Sequence, residues 1–395
     1  MGRRVVLAGA VRTAIGVMGG SLSTVPAPKL GEIVIRESLK RAGVSPELVE
    51  EVYMGCVIQA GLGQNPARQA ALNAGIPVGV PATTINVLCG SGLHCVNLAA
   101  KLISMGEADI MVAGGMENMS MAPYLLYQGR YGYRMGAGTL DDSMIKDALT
   151  DAFEGFHMGM TAENIAEEWH LTRQQLDEFA AWSQQKCEKA QLEGKFKDEI
   201  VPVEVKKKKE TILFDTDEGP RQGVTPENIS KLRAAFKPGG VVTAANASGI
   251  NDGAAAMVVM SEEKAKELGV KPMAVWVAGE HAGVEPRIMG IGPVAATRKV
   301  LKKAGLEMKD IGLIEANEAF AAQSLAVARE LEWNTDILNV NGGAIALGHP
   351  VGCSGDCLLV SLMYEMQRRN TERGLATLCV GGGMGCAAIV ERMEG

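Results

Sequence analysis

The sequence lacks several features that mark whole classes of protein. Its apolar runs all fall short of membrane-spanning length, and the opening Met-Gly-Arg-Arg-Val-Val has no signal-peptide apolar core. The net charge of −7 argues against general nucleic-acid binding. The eight cysteines include no Cys-x-x-Cys pair, which argues against a zinc site and for a reducing compartment. We therefore expect a cytoplasmic protein that binds no metal, nucleic acid or membrane.

Aromatic residues are also scarce, at 4%, whereas glycine is abundant, with 48 residues. A chain of 395 residues predicts two domains or one large α/β unit. Predicted strands alternate with predicted helices near both ends of the chain, which is typical of an α/β fold with a largely buried sheet. The many glycines fit tight turns between those strands and helices.

Two pairs of segments indicate an internal repeat. Ile-Met-Val-Ala-Gly-Gly-Met at 110–116 matches Leu-Cys-Val-Gly-Gly-Gly-Met at 378–384, and Ile-Asn-Val-Leu-Cys-Gly at 85–90 matches Leu-Asn-Val-Asn-Gly-Gly at 338–343. Because both matches occur in the same order at similar spacing, we predict a duplicated α/β domain.

The region between the two halves differs from them in character. Residues 120–244 contain clustered tyrosines, two polar helices, the second with Thr172 as its predicted N-cap, and the run Lys206–Lys209. A long insertion of this kind usually carries function. We predict an N-terminal domain of residues 1–119 and 245–270, the inserted loop domain at 120–244, and a C-terminal domain of residues 271–395.

One cysteine stands between a predicted strand and a predicted helix. The strand runs over 83–88, the helix over 93–105, and Cys89 lies between them, followed by Gly-Ser-Gly. A thiol in this position meets free N–H groups and the positive end of the helix dipole, which favour a nucleophilic thiolate. From this stretch alone, Cys89 could equally well be a small buried hydrophobic residue.

Three more polar or reactive side chains stand in glycine-rich loops or at strand ends. His349 lies in a glycine-rich loop, between a glycine and a proline. Cys379 ends a predicted strand that is followed by three glycines, and Asn317 ends another predicted strand. Each has a plain alternative: a loop histidine satisfied by backbone, a buried strand cysteine and a helix N-cap. The glycines at 381–385 do not predict a dinucleotide loop, because too few residues follow.

Together, five motifs resemble those of the thiolase family. They are Cys-Gly-Ser-Gly at 89–92, Gly-Gly-Met-Glu-Asn-Met-Ser at 114–120, Asn-Glu-Ala-Phe-Ala-Ala-Gln at 317–323, Asn-Gly-Gly-Ala-Ile-Ala-Leu-Gly-His-Pro at 341–350, and Cys-Val-Gly-Gly-Gly-Met-Gly at 379–385. The likeness covers essentially the whole chain and is closer to the bacterial biosynthetic type than to the long-chain degradative type. It implies duplicated thiolase-like domains in α-β-α-β-α layers, with a loop-domain insertion in the first half.

The resemblance also implies an activity and its partners. The reaction would be the reversible Claisen condensation of two acetyl-CoA into acetoacetyl-CoA and CoA, through an acetyl-cysteine. Thiolysis of longer 3-ketoacyl-CoA substrates is the alternative. No cofactor is implied beyond CoA itself, as substrate and product. A homotetramer, formed as a dimer of dimers, is implied as well, with residues 124–138 as a candidate contact.

Residue roles follow from the same resemblance. Cys89 would be acylated, His349 would take its proton, and Cys379 would move the α-proton of the second acetyl-CoA. Asn317 would position a water in an oxyanion hole shared with His349, and the N–H groups of Cys89 and Gly381 would form the other hole. The residues implied to bind CoA, with Arg221 against the adenine, are His157, Met158, Arg221, Phe236, Ser248, Met289 and Phe320.

Three residues depart from the family pattern: His94, Asp356 and Cys357. None of them replaces a catalytic group. His94 could lie beside the site or face solvent, and we expect it to face solvent. We expect the acidic Asp356 to be tolerated at the start of its helix.

Overall fold

The computed structural model describes residues 2–207 and 210–393, so the predicted run Lys206–Lys209 lies partly outside the described residues. The strands are β1 Val5–Thr13, β2 Gly16–Val17, β3 Glu51–Gly55, β4 Ala82–Ile85, β5 Ile110–Asn118, β6 Tyr124–Leu125, β7 Asp141–Asp142, β8 Ile200–Val201, β9 Val203–Lys207, β10 Glu210–Phe214, β11 Asn251–Ser261, β12 Ala274–Gly283, β13 Leu313–Ala316, β14 Arg373–Val380 and β15 Met384–Arg392. The helices are α1 Ala27–Ala42, α2 Pro66–Asn73, α3 Ser91–Met105, α4 Met158–Glu168, α5 Arg173–Leu192, α6 Pro226–Ile229, α7 Glu262–Leu268, α8 Gly292–Ala304, α9 Ala321–Glu330, α10 Ala344–Leu347 and α11 Ser354–Arg369.

The strand order repeats between the two halves of the chain. The main sheet runs β4-β3-β5-β11-β1 and continues as β12-β15-β14-β13. In the first half β3 is parallel to β4 and β5, and β11 is antiparallel to β5 and β1. In the second half β13 is parallel to β14, β15 is antiparallel to β14 and β12, and a parallel bridge from Ile314 to Leu338 stands in the place of β4. The predicted duplication is therefore confirmed.

Alternating side chains divide the molecule into five layers. In β1, Val6 packs in a cluster with α1 and α2, whereas Leu7 packs in a cluster with α3 and α11. In β14, Leu375 packs in a cluster with α8 and α9, whereas Leu378 joins the cluster of α3 and α11. Because successive strand residues face opposite sides, each half of the sheet is covered on both faces. This is the α-β-α-β-α arrangement predicted from the family resemblance.

Helices α3 and α11 form the central layer and fix the geometry of everything attached to their N-termini. Leu93 and Ile103 of α3 and Leu359 and Leu362 of α11 are all fully buried in one cluster. Full burial of one such side chain contributes about 2 kcal/mol relative to exposure. The loops that precede the two helices are therefore anchored on well-packed elements.

Residues 119–250 connect β5 to β11 and carry α4, α5 and α6, and among their described residues only β8 joins the main sheet, by pairing with β1. Thr172 is the N-cap of α5, as predicted, and it also forms a capping box with Gln175. Apolar residues of α4 and α5 pack in one cluster with Phe320 and with α9, so the insertion lies against the second half. The domain boundaries placed at residues 119, 244 and 270 stay predictions. Within the described part of the chain, each helix is too short or too polar to cross a membrane.

Candidate active site

Cys89 lies in a tight turn that precedes α3. The adjoining strand β4 ends at Ile85, so the prediction of a strand reaching residue 88 is wrong. Side chains explain the difference: Asn86 Oδ1 accepts from the Leu88 N–H at 3.0 Å, and Ser91 Oγ accepts from the Val87 N–H at 2.9 Å. Such bonds offer the backbone an alternative to the sheet.

The turn also stores local strain next to the reactive thiol. Leu88 has φ +47°, in the left-handed region that a leucine rarely adopts. Ser91 Oγ donates to the Leu88 carbonyl at 2.6 Å and helps to hold this conformation. Strained backbone held in place by its surroundings is common at functional sites.

The thiol of Cys89 is subject to two opposing influences. Burial raises the pKa of Cys89 to about 11. The backbone N–H groups of Gly381 and of Cys89 itself have the opposite, smaller effect and lower this pKa. Desolvation outweighs the backbone donors, so the balance at Cys89 favours the neutral thiol over the thiolate. The two N–H groups assigned to an oxyanion hole both act on the cysteine sulfur.

His349 is held just before α11 by three polar partners. Its N–H donates to Asn251 Oδ1 at 2.9 Å, and its Nδ1 lies 2.5 Å from Ser354 Oγ. Asn317 Nδ2 is 3.4 Å from each ring nitrogen. Burial lowers the pKa of His349 to about 4, so the imidazole is neutral at pH 7 and is available as a proton acceptor.

Cys379 is fully buried at the end of β14. Burial, and then the charge of Cys89, raise the pKa of Cys379 well above its ordinary value. The second effect shows that the two sulfurs are close enough to interact. Cys379 packs in a cluster with Met158 and Phe320, directly behind the wall of the cavity described next.

One cavity of about 440 Å³ brings most of the predicted residues together. Its lining includes nine of the twelve, namely Cys89, His349, Gly381, His157, Met158, Phe236, Ser248, Met289 and Phe320. A concave, largely apolar cavity with a few convergent polar groups is the usual form of a small-molecule site.

Aromatic rings build one wall of this cavity. His157 and Phe236 stack with ring centroids 4.8 Å apart, and Phe236 meets the edge of Phe320 at 6.2 Å. His157 is the N-cap of α4, where its Nδ1 accepts from the Gly159 N–H at 3.0 Å. A side chain at Gly159 would overlap the Phe236 ring, so glycine is required for the close contact.

Comparison of the sequence with models of known protein families identifies the family of this chain. A family model described as "Thiolase, N-terminal domain" matches residues 5–263, and one described as "Thiolase, C-terminal domain" matches residues 270–392. The chain belongs to the thiolase family. The resemblance read from the motifs is thereby confirmed.

Individual relatives match this thiolase along its whole length. The acetyl-CoA acetyltransferase of Syntrophomonas wolfei is 58% identical and covers 100% of both chains. That of Chromobacterium violaceum is 56% identical over 98% of this chain and 99% of the relative. Among solved structures, the Bacillus anthracis acetyl-CoA acetyltransferase has a TM-score of 0.97 at 45% identity, with 99% of each chain covered. The human mitochondrial 3-ketoacyl-CoA thiolase has a TM-score of 0.96 at 42% identity, with 99% of each chain covered.

Three predicted site residues of this thiolase lie outside the large cavity. Cys379 lies behind its wall, as described above. Asn317 lines a smaller cavity of about 30 Å³ together with Ser354 and the two neighbours of His349, Gly348 and Pro350. Arg221 is exposed in a separate cleft, where its backbone N–H donates to Gln184 Oε1 at 2.9 Å. Its contact with an adenine stays a prediction.

His94 does not face solvent as expected. It is half-buried, and its Nδ1 lies 2.7 Å from Nε2 of His281, which is also 3.4 Å from Cys386 Sγ. The partner comes from β12 in the other half of the chain, so no local pattern could indicate it. Among the described residues, no group of three or more histidine, cysteine or acidic side chains could hold a metal ion.

Sequence reasoning missed two residues that hold His349, namely Asn251 and Ser354. Ser354 had a detectable signal, because it stands five positions after His349 in the same glycine-rich stretch. Asn251 had none, since it comes from β11, 98 positions away along the chain.

Proposed function

We propose that the protein is an acetyl-CoA C-acetyltransferase, which reversibly condenses two acetyl-CoA into acetoacetyl-CoA and CoA. This proposal rests on one observation. A single cavity is lined by Cys89, with its two backbone donors, and by the neutral, buried imidazole of His349, and the Cys379 thiol lies behind the cavity wall. The names of full-length relatives at 54–58% identity support this reading over a longer-chain thiolase.

The first half-reaction makes an acetyl-enzyme. The Cys89 proton moves to the neutral His349 as the sulfur attacks the thioester carbon of acetyl-CoA. The N–H groups of Cys89 and Gly381 stabilise the oxyanion that forms. When the intermediate collapses, the CoA thiolate leaves and takes a proton from Cys379. This step leaves an acetyl group on Cys89, an imidazolium at His349 and a thiolate at Cys379.

The second half-reaction forms the carbon–carbon bond. The Cys379 thiolate removes an α-proton from the second acetyl-CoA, while His349 and an Asn317-bound water stabilise the enolate oxygen. The enolate carbon attacks the acetyl carbon, Cys89 leaves as thiolate, and the imidazolium returns its proton to Cys89. Burial suits Cys379 to this role, because the raised pKa that burial gives a thiol makes its thiolate a stronger base.

The apolar part of the cavity would hold the pantetheine arm of CoA. His157, Phe236 and Phe320 provide flat, uncharged surfaces, and Ser248 is the polar residue among the predicted contacts. An extended arm with few charges fits such a wall by apolar contact.

A cytoplasmic homotetramer completes the proposal. Tyr124, Tyr127 and Tyr131 are 63%, 59% and 89% exposed in the single chain. Large exposed aromatic groups clustered in one segment mark interaction surfaces, which supports residues 124–138 as a contact between copies. Sedimentation of the protein, with and without changes of these tyrosines to serine, tests this assembly.

The activity is tested by comparing turnover of acetoacetyl-CoA with that of 3-ketohexadecanoyl-CoA in the thiolysis direction. We expect efficient cleavage of acetoacetyl-CoA and little or none of the long substrate, with Cys89→Ser as the inactive control. Comparable kcat/KM for the two substrates would support the longer-chain reading instead. Absence of any thiolysis would contradict both readings.

A further inference from the structure

Ser354 makes two short contacts that bear on the proton of His349. It is the first residue of α11 and is 4% exposed. Its Oγ lies 2.5 Å from Nδ1 of His349 and 2.8 Å from the carbonyl oxygen of Pro350. None of the roles implied by the family resemblance falls on this serine.

Counting hydrogens decides how these two contacts are made. Each short contact needs one hydrogen between its heavy atoms, and a carbonyl oxygen supplies none. The hydroxyl supplies only one, so Nδ1 must supply the other. If the hydroxyl instead donated to Nδ1, Oγ and the Pro350 oxygen would face each other with lone pairs at 2.8 Å. The consistent arrangement is therefore Nδ1–H donating to Oγ, and Oγ–H donating to Pro350.

Asn317 does not determine which ring nitrogen of His349 carries the proton. Its Nδ2 is 3.4 Å from both ring nitrogens of His349. Equal distances place the amide nitrogen on the plane midway between them, and both lie at the long limit of a hydrogen bond. Contacts of this kind do not favour one tautomer over the other.

We propose that Ser354 is a positioning residue that fixes His349 in the tautomer with its proton on Nδ1, so that Nε2 presents a lone pair to the cavity. His349 lines the large cavity together with Cys89, and Ser354 lines the smaller one, so we place the nitrogen remote from Ser354 on the Cys89 side. The inference rests on the proposed function, in which His349 accepts the Cys89 proton. The inference adds the reason why the nitrogen that accepts this proton is itself unprotonated.

The expected cost of losing the hydroxyl follows from tautomer choice. Without Ser354 the ring can place its proton on either nitrogen or rotate. A misplaced tautomer removes general-base catalysis, which is worth roughly 10²–10⁴-fold in rate. Because some molecules still hold the correct tautomer, we expect Ser354→Ala to slow acetylation of Cys89 by roughly 10–100-fold.

The direct test measures the tautomer without using activity. In protein labelled with ¹⁵N in the histidine rings, the His349 signals are assigned by their loss in His349→Asn. We expect a protonated Nδ1 and an unprotonated Nε2 at pH 7 in the unsubstituted protein. A proton on Nε2 would overturn the proposal, whether or not the protein proves to be an acetyltransferase.

The kinetic test uses a matched pair of variants. Single-turnover acetylation of Cys89 by acetyl-CoA is followed in Ser354→Ala and in Ser354→Thr, which keeps the hydroxyl. We expect the alanine variant to lose rate with little change in the KM for acetyl-CoA, and the threonine variant to recover most of the rate. Unchanged acetylation in the alanine variant would overturn the proposal. Failure of the unsubstituted protein to be acetylated would instead refute the proposed function.

Discussion

The resting protonation state of Cys89 leads to a quantitative prediction. A pKa of about 11, instead of the 9.0 of an ordinary cysteine, leaves about one hundredth of the usual thiolate at neutral pH. Iodoacetamide reacts with the thiolate, so we expect alkylation of Cys89 at pH 7 to be about 100-fold slower than that of an unperturbed thiol. The rate should rise about tenfold for each pH unit until the pH nears 11.

Acetylation by acetyl-CoA should respond differently to pH. Its reactant is the neutral pair, a Cys89 thiol beside a His349 imidazole with a pKa of about 4. This pair predominates between the two pKa values, so the single-turnover rate should stay level from about pH 5 to about pH 10. Below that range His349 becomes protonated and the rate falls.

The assay follows both reactions by intact-protein mass spectrometry, with peptide mapping to locate the label and Cys89→Ser as the control. Alkylation that levels off below pH 8 would refute the reasoning, because it would show a thiolate in the free protein. So would an acetylation rate that rises tenfold per pH unit through neutrality.

Three substitutions give further predictions. Cys89→Ser should abolish turnover while CoA binding, measured by calorimetry, stays within a few fold, because serine is far less ionised and a poorer leaving group; full activity would contradict the nucleophile assignment. Phe236→Ala should raise the KM for acetyl-CoA more than it lowers kcat, since the ring forms a cavity wall stacked on His157 and that contact is shared by ground and transition states; a collapse of kcat alone would place Phe236 in the chemistry. Arg221→Ala should show the same KM pattern if Arg221 reaches the adenine from its separate cleft, and steady-state kinetics with an unchanged KM would remove it from the CoA site.

The repeated architecture was predictable because matching sequence segments occur in the same order in both halves of the chain. The matched segments at 85–90 and 338–343 occupy equivalent places, one beginning at the last residue of β4 and the other at the bridge residue Leu338. The burial of the sheet follows from near-continuous apolar strands such as β1, which is buried along its whole length, whereas the five-layer order was implied by the family resemblance.

The misjudged features depend on contacts that the local sequence does not show. The apolar Val87 and Leu88 suggested a continuing strand, but side-chain hydrogen bonds from Asn86 and Ser91 turn the chain. The helix terminus at Cys89 indicates backbone donors that favour a thiolate, but the local sequence does not show how strongly burial opposes them. His94 was assigned to solvent because its partner His281 is 187 positions away.

The central claim is that two cysteines divide the reaction, Cys89 carrying the acetyl group and Cys379 moving the α-proton. The most direct measurement is intact-protein mass spectrometry of Cys379→Gly after exposure to acetyl-CoA, beside a steady-state condensation assay. We expect an acetyl group on Cys89, formed more slowly because the leaving CoA thiolate lacks its proton donor, and condensation reduced by roughly two to four orders of magnitude, the usual worth of a positioned acid–base group. A variant that cannot be acetylated, or one that condenses acetyl-CoA at the normal rate, would contradict the account.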